Sequence, residues 1–320
     1  MSLKKKPLGI DVATRPEHDK DIDIYIRDKL RIRDKMIEDE IRQKAEGVFM
    51  WVILVIKILN QGYDNGDTVS LRKKLREVPN DLDEVFSTLL VQNNLRREAT
   101  LLMLQWLLFT KRPLEPEELY FAVIAGTDPS ELRARNEDPE SDVDKHFMIE
   151  KFITSTSRGL VEIRRSVEWG TDRLQFIHGT AFDFLVRKER LATMDSLLLG
   201  NIAALSHDRI MACCTEYILM DELAQFGTDP IDFGHNDRGA ALFSPYPFLA
   251  YASTYVFHHG EIALADDQVS DAVMQRMLRL DQHFTASDTL GDGSVIFLQG
   301  RATFHLTYFT RFPSVAIQNW

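Results

Sequence analysis

From Val48 to Leu59 the chain reads VFMWVILVIKIL, apolar at every position but Lys57. A helix of that composition has no polar face to offer water, so it has to lie deep in a core. The run is about 12 residues long, against roughly 20 for a bilayer span. It therefore predicts a buried helix and not a membrane span.

Such a helix needs amphipathic partners, and the flanking sequence supplies them. Residues 36–60 read as one long helix. Its first half is polar through Glu38, Asp39, Glu40, Arg42 and Lys44, and its second half is apolar from Phe49 onward. QGYDNGDT over 61–68 is a turn cluster. Leu71, Leu75 and Val78 mark a short helix, with Ser70 placed to cap it. Asp81 with Glu84 resembles a capping box, followed by Leu82, Val85, Phe86, Leu89 and Leu90 at helical spacing.

Arg97–Thr110 is apolar on most faces and predicts a second central helix, ended before Pro113. Pro116, Glu117 and Glu118 open the next one, and Gly126 is expected to stop it. After a polar loop over 127–145, the pattern predicts a helix from about Asp144 to Ser157. Strands Leu160–Arg164 and Leu174–Ile177 follow, joined near Glu168-Trp169-Gly170. Thr180–Arg187 returns to helix. Ser206–Met220 is amphipathic, with Ile210, Cys213, Cys214, Tyr217 and Ile218 on one face, and Phe248–His258 is a further helix. Residues 223–245 and 284–300, rich in Gly and Asp, read as loops.

Three helices followed by a hairpin within residues 96–178 is the layout of a winged helix. The expected fold class is mainly α: a helical bundle plus a winged-helix domain with a small β-hairpin. The expected divisions are 1–35, a helical domain over 36–95, a winged-helix-like domain over 96–190, a helical region over 195–262 and a C-terminal segment over 263–320.

Charge narrows the function. The 320 residues carry a net charge of -11, with a sequence pI of about 5.3, and an acidic surface repels phosphate backbones. The two cysteines, Cys213 and Cys214, are adjacent. They build neither a disulfide framework nor a metal site, and read as small buried apolar residues suited to a reducing cytoplasm. Lys4-Lys5-Lys6 is followed by no apolar stretch, so it does not read as a signal peptide. The expected localisation is cytoplasmic.

Six segments carry a family resemblance. Ala45-Glu46-Gly47-Val48-Phe49-Met50-Trp51 and Val78-Pro79-Asn80-Asp81-Leu82-Asp83-Glu84-Val85-Phe86 are two. Gln105-Trp106-Leu107-Leu108-Phe109-Thr110-Lys111-Arg112-Pro113-Leu114, continued by Pro116-Glu117-Glu118-Leu119, is the third. Leu174-Gln175-Phe176-Ile177-His178 through Asp183-Phe184-Leu185 is the fourth. Ser206-His207-Asp208-Arg209 with Cys213-Cys214, and Tyr246-Pro247-Phe248-Leu249-Ala250-Tyr251-Ala252, complete the set. In this order they resemble fungal NACHT proteins, which belong to the signal-transduction ATPases with numerous domains (STAND). The matching part is the region between the NACHT ATPase and the ankyrin repeats. The resemblance implies a non-enzymatic, cytoplasmic signalling segment that works by protein–protein interaction, with full-length NACHT relatives as partners. Residues 1–35, with Asp21–Leu30, would be the remnant of the post-ATPase region.

The chain departs from that family in two ways. No glycine is followed by lysine, so the phosphate cradle of a P-loop is missing, and no ankyrin pattern appears. The expectation is no catalytic residue, no cofactor and no metal.

Other chemistry is weaker. His178 with Asp183, and Thr180 or Ser157 as nucleophile, could be drawn as a hydrolase, but His178 is better explained as a buried histidine joining hairpin and helix. Neighbouring His258 and His259 point about 100° apart on a helix, which suits packing better than ligation of one ion. Asp281, His283, Asp288 and Asp292 lack calcium-loop spacing. Phe297, Phe304, Tyr308, Phe309, Phe312 and Trp320 form an aromatic tail that could be a packed edge or a partner surface. The alternative function is a winged-helix nucleic-acid-binding protein. It would use Lys145, Lys151 and Arg158 with Arg164, Arg165 and Arg173, against the acids Glu115, Glu117, Glu118, Asp144 and Glu150.

Overall fold

The computed structural model describes residues 15–64, 66, 70–91, 94–132, 142–165, 172–177, 179–186, 190–220 and 246–288. The chain divides into two compact units, Met1–Gln92 and Asn93–Trp320.

The first unit contains α1 (Arg15–Lys29), α2 (Lys35–Ala45), α3 (Phe49–Asp64), α4 (Leu71–Glu77) and α5 (Leu82–Val91). Its hub is α3, which packs against each of the other four. Met50 through Ile56 and Leu59 are all buried, as a helix apolar nearly all round requires.

Residues 36–60 are not one helix, contrary to the sequence expectation. The chain turns at Glu46 (φ 47°) and Gly47 (φ 82°), both left-handed. Gly47 has no Cβ to resist that conformation. The break lets α2 fold back, and its single apolar stripe of Ile37, Ile41 and Ala45 covers α3. A continuous rod would have carried that stripe away from the helix it has to shield.

Polar side chains close the helix ends. Asp34 caps α2 by accepting from Met36 N at 2.9 Å. Asp81 accepts from Glu84 N at 3.0 Å at the start of α5. Ser70 stands at the N-cap of α4 but makes no side-chain cap bond, so the expected cap is absent. The other end of α4 is tied down by Lys44, whose ammonium donates to Leu75 O at 2.9 Å and Val78 O at 2.6 Å. Trp51 Nε1 donates to Pro79 O at 2.7 Å, fixing the α4–α5 corner. Lys44→Met should leave those carbonyls orphaned. The expected loss is about 1–3 kcal/mol, seen as a lower urea midpoint at unchanged slope.

The second unit contains α6 (Arg97–Phe109), α7 (Pro116–Thr127), α8 (Asp142–Thr156), β1 (Val161–Arg164), β2 (Arg173–Phe176), α9 (Gly179–Val186), two short 3₁₀ turns, α10 (Ile202–Ile218), α11 (Leu249–Ala263) and α12 (Asp267–Asp288). The fold is mainly helical, with one two-stranded antiparallel sheet among the described residues. The register pairs Val161 with Phe176, Glu162 with Gln175, Ile163 with Leu174 and Arg164 with Arg173. Val161 is buried, while Ile163, Leu174 and Phe176 pack at the edge of the core.

At the centre lies α10, packed against α6, α7, α11 and α12. Cys213, Cys214, Tyr217 and Ile218 are all buried along it. Two expectations fail in this unit. Gly126 does not stop α7, which runs on through Thr127. It is a close-approach glycine, and a Cβ there would lie 2.5 Å from both Cys213 Sγ and Leu102 Cδ2. Residues 284–288 are helical and not loop, because α12 continues to Asp288, and its apolar stripe Val273, Met277 and Leu280 joins the core. The predicted loop over 223–245, the hairpin turn at 168–170 and residues 289–320 with the aromatic tail lie outside the described residues. No helix among the described residues is long and apolar enough to cross a membrane.

A buried histidine pair as the candidate functional site

Helix α6 ends at Phe109, and residues 110–115 then turn the chain into α7. That corner meets α10 and α11 in a run of polar contacts inside an otherwise apolar core. His207 on α10 is 7% exposed and His259 on α11 is 0% exposed. Their Nδ1 atoms are 2.6 Å apart. His259 Nε2 is 2.9 Å from Tyr251 Oη. Tyr251 Oη in turn lies 2.9 Å from Thr110 Oγ1 and 2.9 Å from Lys111 N.

Counting protons fixes the direction of this chain. Thr110 Oγ1 is 2.6 Å from Arg112 O, which can only accept, so the threonine proton goes there. Thr110 Oγ1 is then left to accept from the Tyr251 hydroxyl. Having given its proton, Tyr251 Oη accepts from Lys111 N–H and from His259 Nε2–H. A neutral His259 protonated at Nε2 is bare at Nδ1, and accepts there from His207 Nδ1–H. The reverse order would bring two oxygens into contact with no proton between them.

Electrostatics keep both rings neutral. Burial pushes His207 down to about 4, with His258 adding to the effect. Burial pushes His259 down to about 2, helped by His207, His258 and Lys111. Burial also pushes the Tyr251 hydroxyl above its usual range. Edge-on aromatic contacts frame the pair: Phe109 lies 5.7 Å from His207, and Trp106 lies 6.2 Å from His259.

Beside this network a cleft of about 260 Å³ is lined by Trp106, Leu107, Lys111, Leu114, Leu119 and Leu174, among others. The volume is just below the range of typical ligand pockets. Its strongest cation is already committed. Arg112 forks onto Glu118 at 2.7 and 2.5 Å and lies 5.1 Å over the Tyr251 ring. Glu118 also accepts from Glu115 N at 2.9 Å, the reciprocal bond of a capping box. Burial, together with Glu118, pushes the Glu115 carboxyl up.

A catalytic or metal reading gains little from this geometry. The two Nδ1 atoms sit at hydrogen-bond distance with a proton between them, and His259 Nε2 is spent on Tyr251. Among the described residues no group of three or more His, Cys, Asp or Glu could hold a metal ion. Cys213 and Cys214 are free and buried. Burial lifts the Cys213 thiol to about 12 and Cys214 well above its ordinary value, so both behave as small apolar side chains.

The residues singled out from sequence are scattered. His178 and Asp292 lie outside the described residues. Asp183 is exposed on α9. Ser157 is buried; its hydroxyl donates to Thr154 O at 3.3 Å at the end of α8 and accepts from Val161 N at 3.3 Å at the start of β1. His258 is half-buried beside the pair, and His283 is half-buried on α12.

The partnership of His207, His259, Tyr251 and Thr110 is not evident from sequence spacing. A signal existed: His207 shares a helical stripe with Ile210, Cys214 and Tyr217, and His259 shares one with Ala252, Val256 and Ala263. A histidine on an apolar stripe needs a buried partner, but the stripe does not name it. Comparisons with protein-family profiles, curated proteins and solved structures found no match to this chain.

Proposed function

We propose that the chain is a non-enzymatic regulatory and protein-interaction segment of a NACHT-type signalling protein, cytoplasmic, with residues 96–190 forming its winged-helix-like domain. The observation that carries this reading is where three of the family-like segments, the third, fifth and sixth, fall. Trp106 of the third segment packs edge-on against Phe248 and Tyr251 of the sixth, at 5.4 and 5.5 Å. Tyr251 contacts His259, which meets His207 of the fifth. Their shared residues build one core and its helix joints, as expected of a mechanical link. The order α6, α7, α8, β1, β2 within one unit supports the winged helix.

The test is co-purification of the full chain with a NACHT-containing relative, alongside ATP titration by calorimetry. Stoichiometric association without ATP uptake is expected. Saturable ATP binding, or no association with any such relative, would reject the proposal.

A second reading, a winged-helix nucleic-acid binder, rests on the hairpin. Arg164 and Arg173 stand directly opposite each other, both exposed, with Arg165 alongside. Against it, Lys145 of α8 is 3.5 Å from Glu117, and Arg165 is 3.5 Å from Glu150. DNA retention that falls steeply between about 50 and 200 mM salt would favour this reading.

A further inference from the structure

We propose that the His207–His259 pair is an acid-sensitive latch that holds the seam between α6, α10 and α11 closed at neutral pH and loosens it as pH falls below the ordinary histidine range. The inference stands apart from the NACHT reading. It uses only side-chain geometry within the second unit.

The geometry makes His259 intolerant of a second proton, and burial of His207, 7% exposed, resists one at its Nε2. One proton lies between two Nδ1 atoms 2.6 Å apart. A proton added at His259 Nδ1 would set two N–H groups against each other at that distance. It would also place a charge on a ring that is fully buried.

Among the described residues, no carboxylate acts on the pair. On α11, His258 is adjacent. At the α6–α7 corner, the Lys111 ammonium acts on His259 with the same sign as a bound proton. Arg112, at the same corner, is neutralised by Glu118. On α10, Asp208 is held by Arg276 of α12, Arg209 is paired with Glu98 of α6, and Cys213 and Cys214 are uncharged. Glu216 of α10 is 3.7 Å from Arg279 of α12. Glu261 lies further along α11, half-buried. The groups that act on the pair all resist protonation.

The sign follows from linkage. Both histidines are neutral in the folded and unfolded chain above about pH 6.5, so the latch is fully closed there. As pH falls below that value the open chain takes up protons that the closed one refuses. Each histidine then shifts the closed-to-open ratio about tenfold per pH unit until its folded pKa is reached. For the two together, the ratio falls on the order of 10³-fold from pH 6.5 to 4.5.

The test is amide hydrogen exchange of the full chain at pH 7 and pH 5, corrected for intrinsic rates, with acid titration of near-UV circular dichroism. Protection in α6, α10 and α11 should fall at pH 5, while α3 holds. The first unit is the internal control, because His18 is its only histidine. His207→Asn with His259→Gln keeps a donor and an acceptor in place and removes both titrations. That variant should lose two protons' worth of acid dependence and shift the titration midpoint to lower pH. Equal protection of α10 and α11 at the two pH values would overturn the latch, and so would an unshifted midpoint in the variant. If the double variant fails to fold, exchange in the native chain still decides.

Discussion

Trp106→Ala is expected to destabilise the Asn93–Trp320 unit by about 3–5 kcal/mol, a large part of the whole stability of an ordinary domain. The indole is fully buried. It meets Phe248, Tyr251 and His259 edge-on, at centroid distances of 5.4, 5.5 and 6.2 Å. Its removal would cost the transfer energy of a large aromatic and leave a cavity at the junction of α6 and α11.

A lost hydrogen bond adds little to this cost. Trp106 Nε1 is buried without an oxygen acceptor and lies beside the Cys213 sulfur, a weak one. Trp106→Phe should therefore recover most of the loss, leaving a deficit of about 1–2 kcal/mol. Urea unfolding followed by far-UV circular dichroism reads both variants. If the phenylalanine variant were as damaged as the alanine one, the indole N–H would matter more than the packing.

The second large effect is expected from enlarging a glycine. At Gly126 a Cβ would come within 2.5 Å of Cys213 Sγ and of Leu102 Cδ2, where three helices meet. Two effects oppose. Replacing a helical glycine gains up to about 1 kcal/mol in propensity. Overpacking a filled core costs about 1–3 kcal/mol, and more for a branched side chain. The cost prevails, so Gly126→Val should lower stability by about 2–3 kcal/mol net. Gly126→Ala should lose less, and adding Cys213→Ala should restore part of that loss, giving a favourable coupling in a double-mutant cycle. A Gly126→Val protein as stable as the native chain would show that α7 can move away from α10 at little cost.

Much of the helical layout was legible in the sequence. The VFMWVILVIKIL run appears as α3, buried at Met50 through Ile56. Leu101, Leu102, Leu104 and Trp106 are buried on α6, and Cys213, Cys214, Tyr217 and Ile218 on α10, as their spacing indicated. The hairpin appears within a residue of its expected bounds. Local chain-reversal chemistry was harder to read. Glu46-Gly47 looked like part of a rod, and Gly126 looked like a stop. The same residue type breaks a helix where φ must be positive and lets helices touch where it need not be. Helix α12 was not anticipated, although Val273, Met277 and Leu280 carry its stripe.

Sequence periodicity determined which faces are apolar, because the repeat of a helix or strand is set by neighbours three, four or two residues away. What meets those faces was decided only in three dimensions. His207 and His259 are 52 residues apart in the chain, yet their ring nitrogens share a proton. Thr110 and Tyr251 are 141 apart and share another. Such pairings depend on how α6, α10 and α11 stack. That stacking is fixed by the packing of the entire core, and no local pattern encodes it.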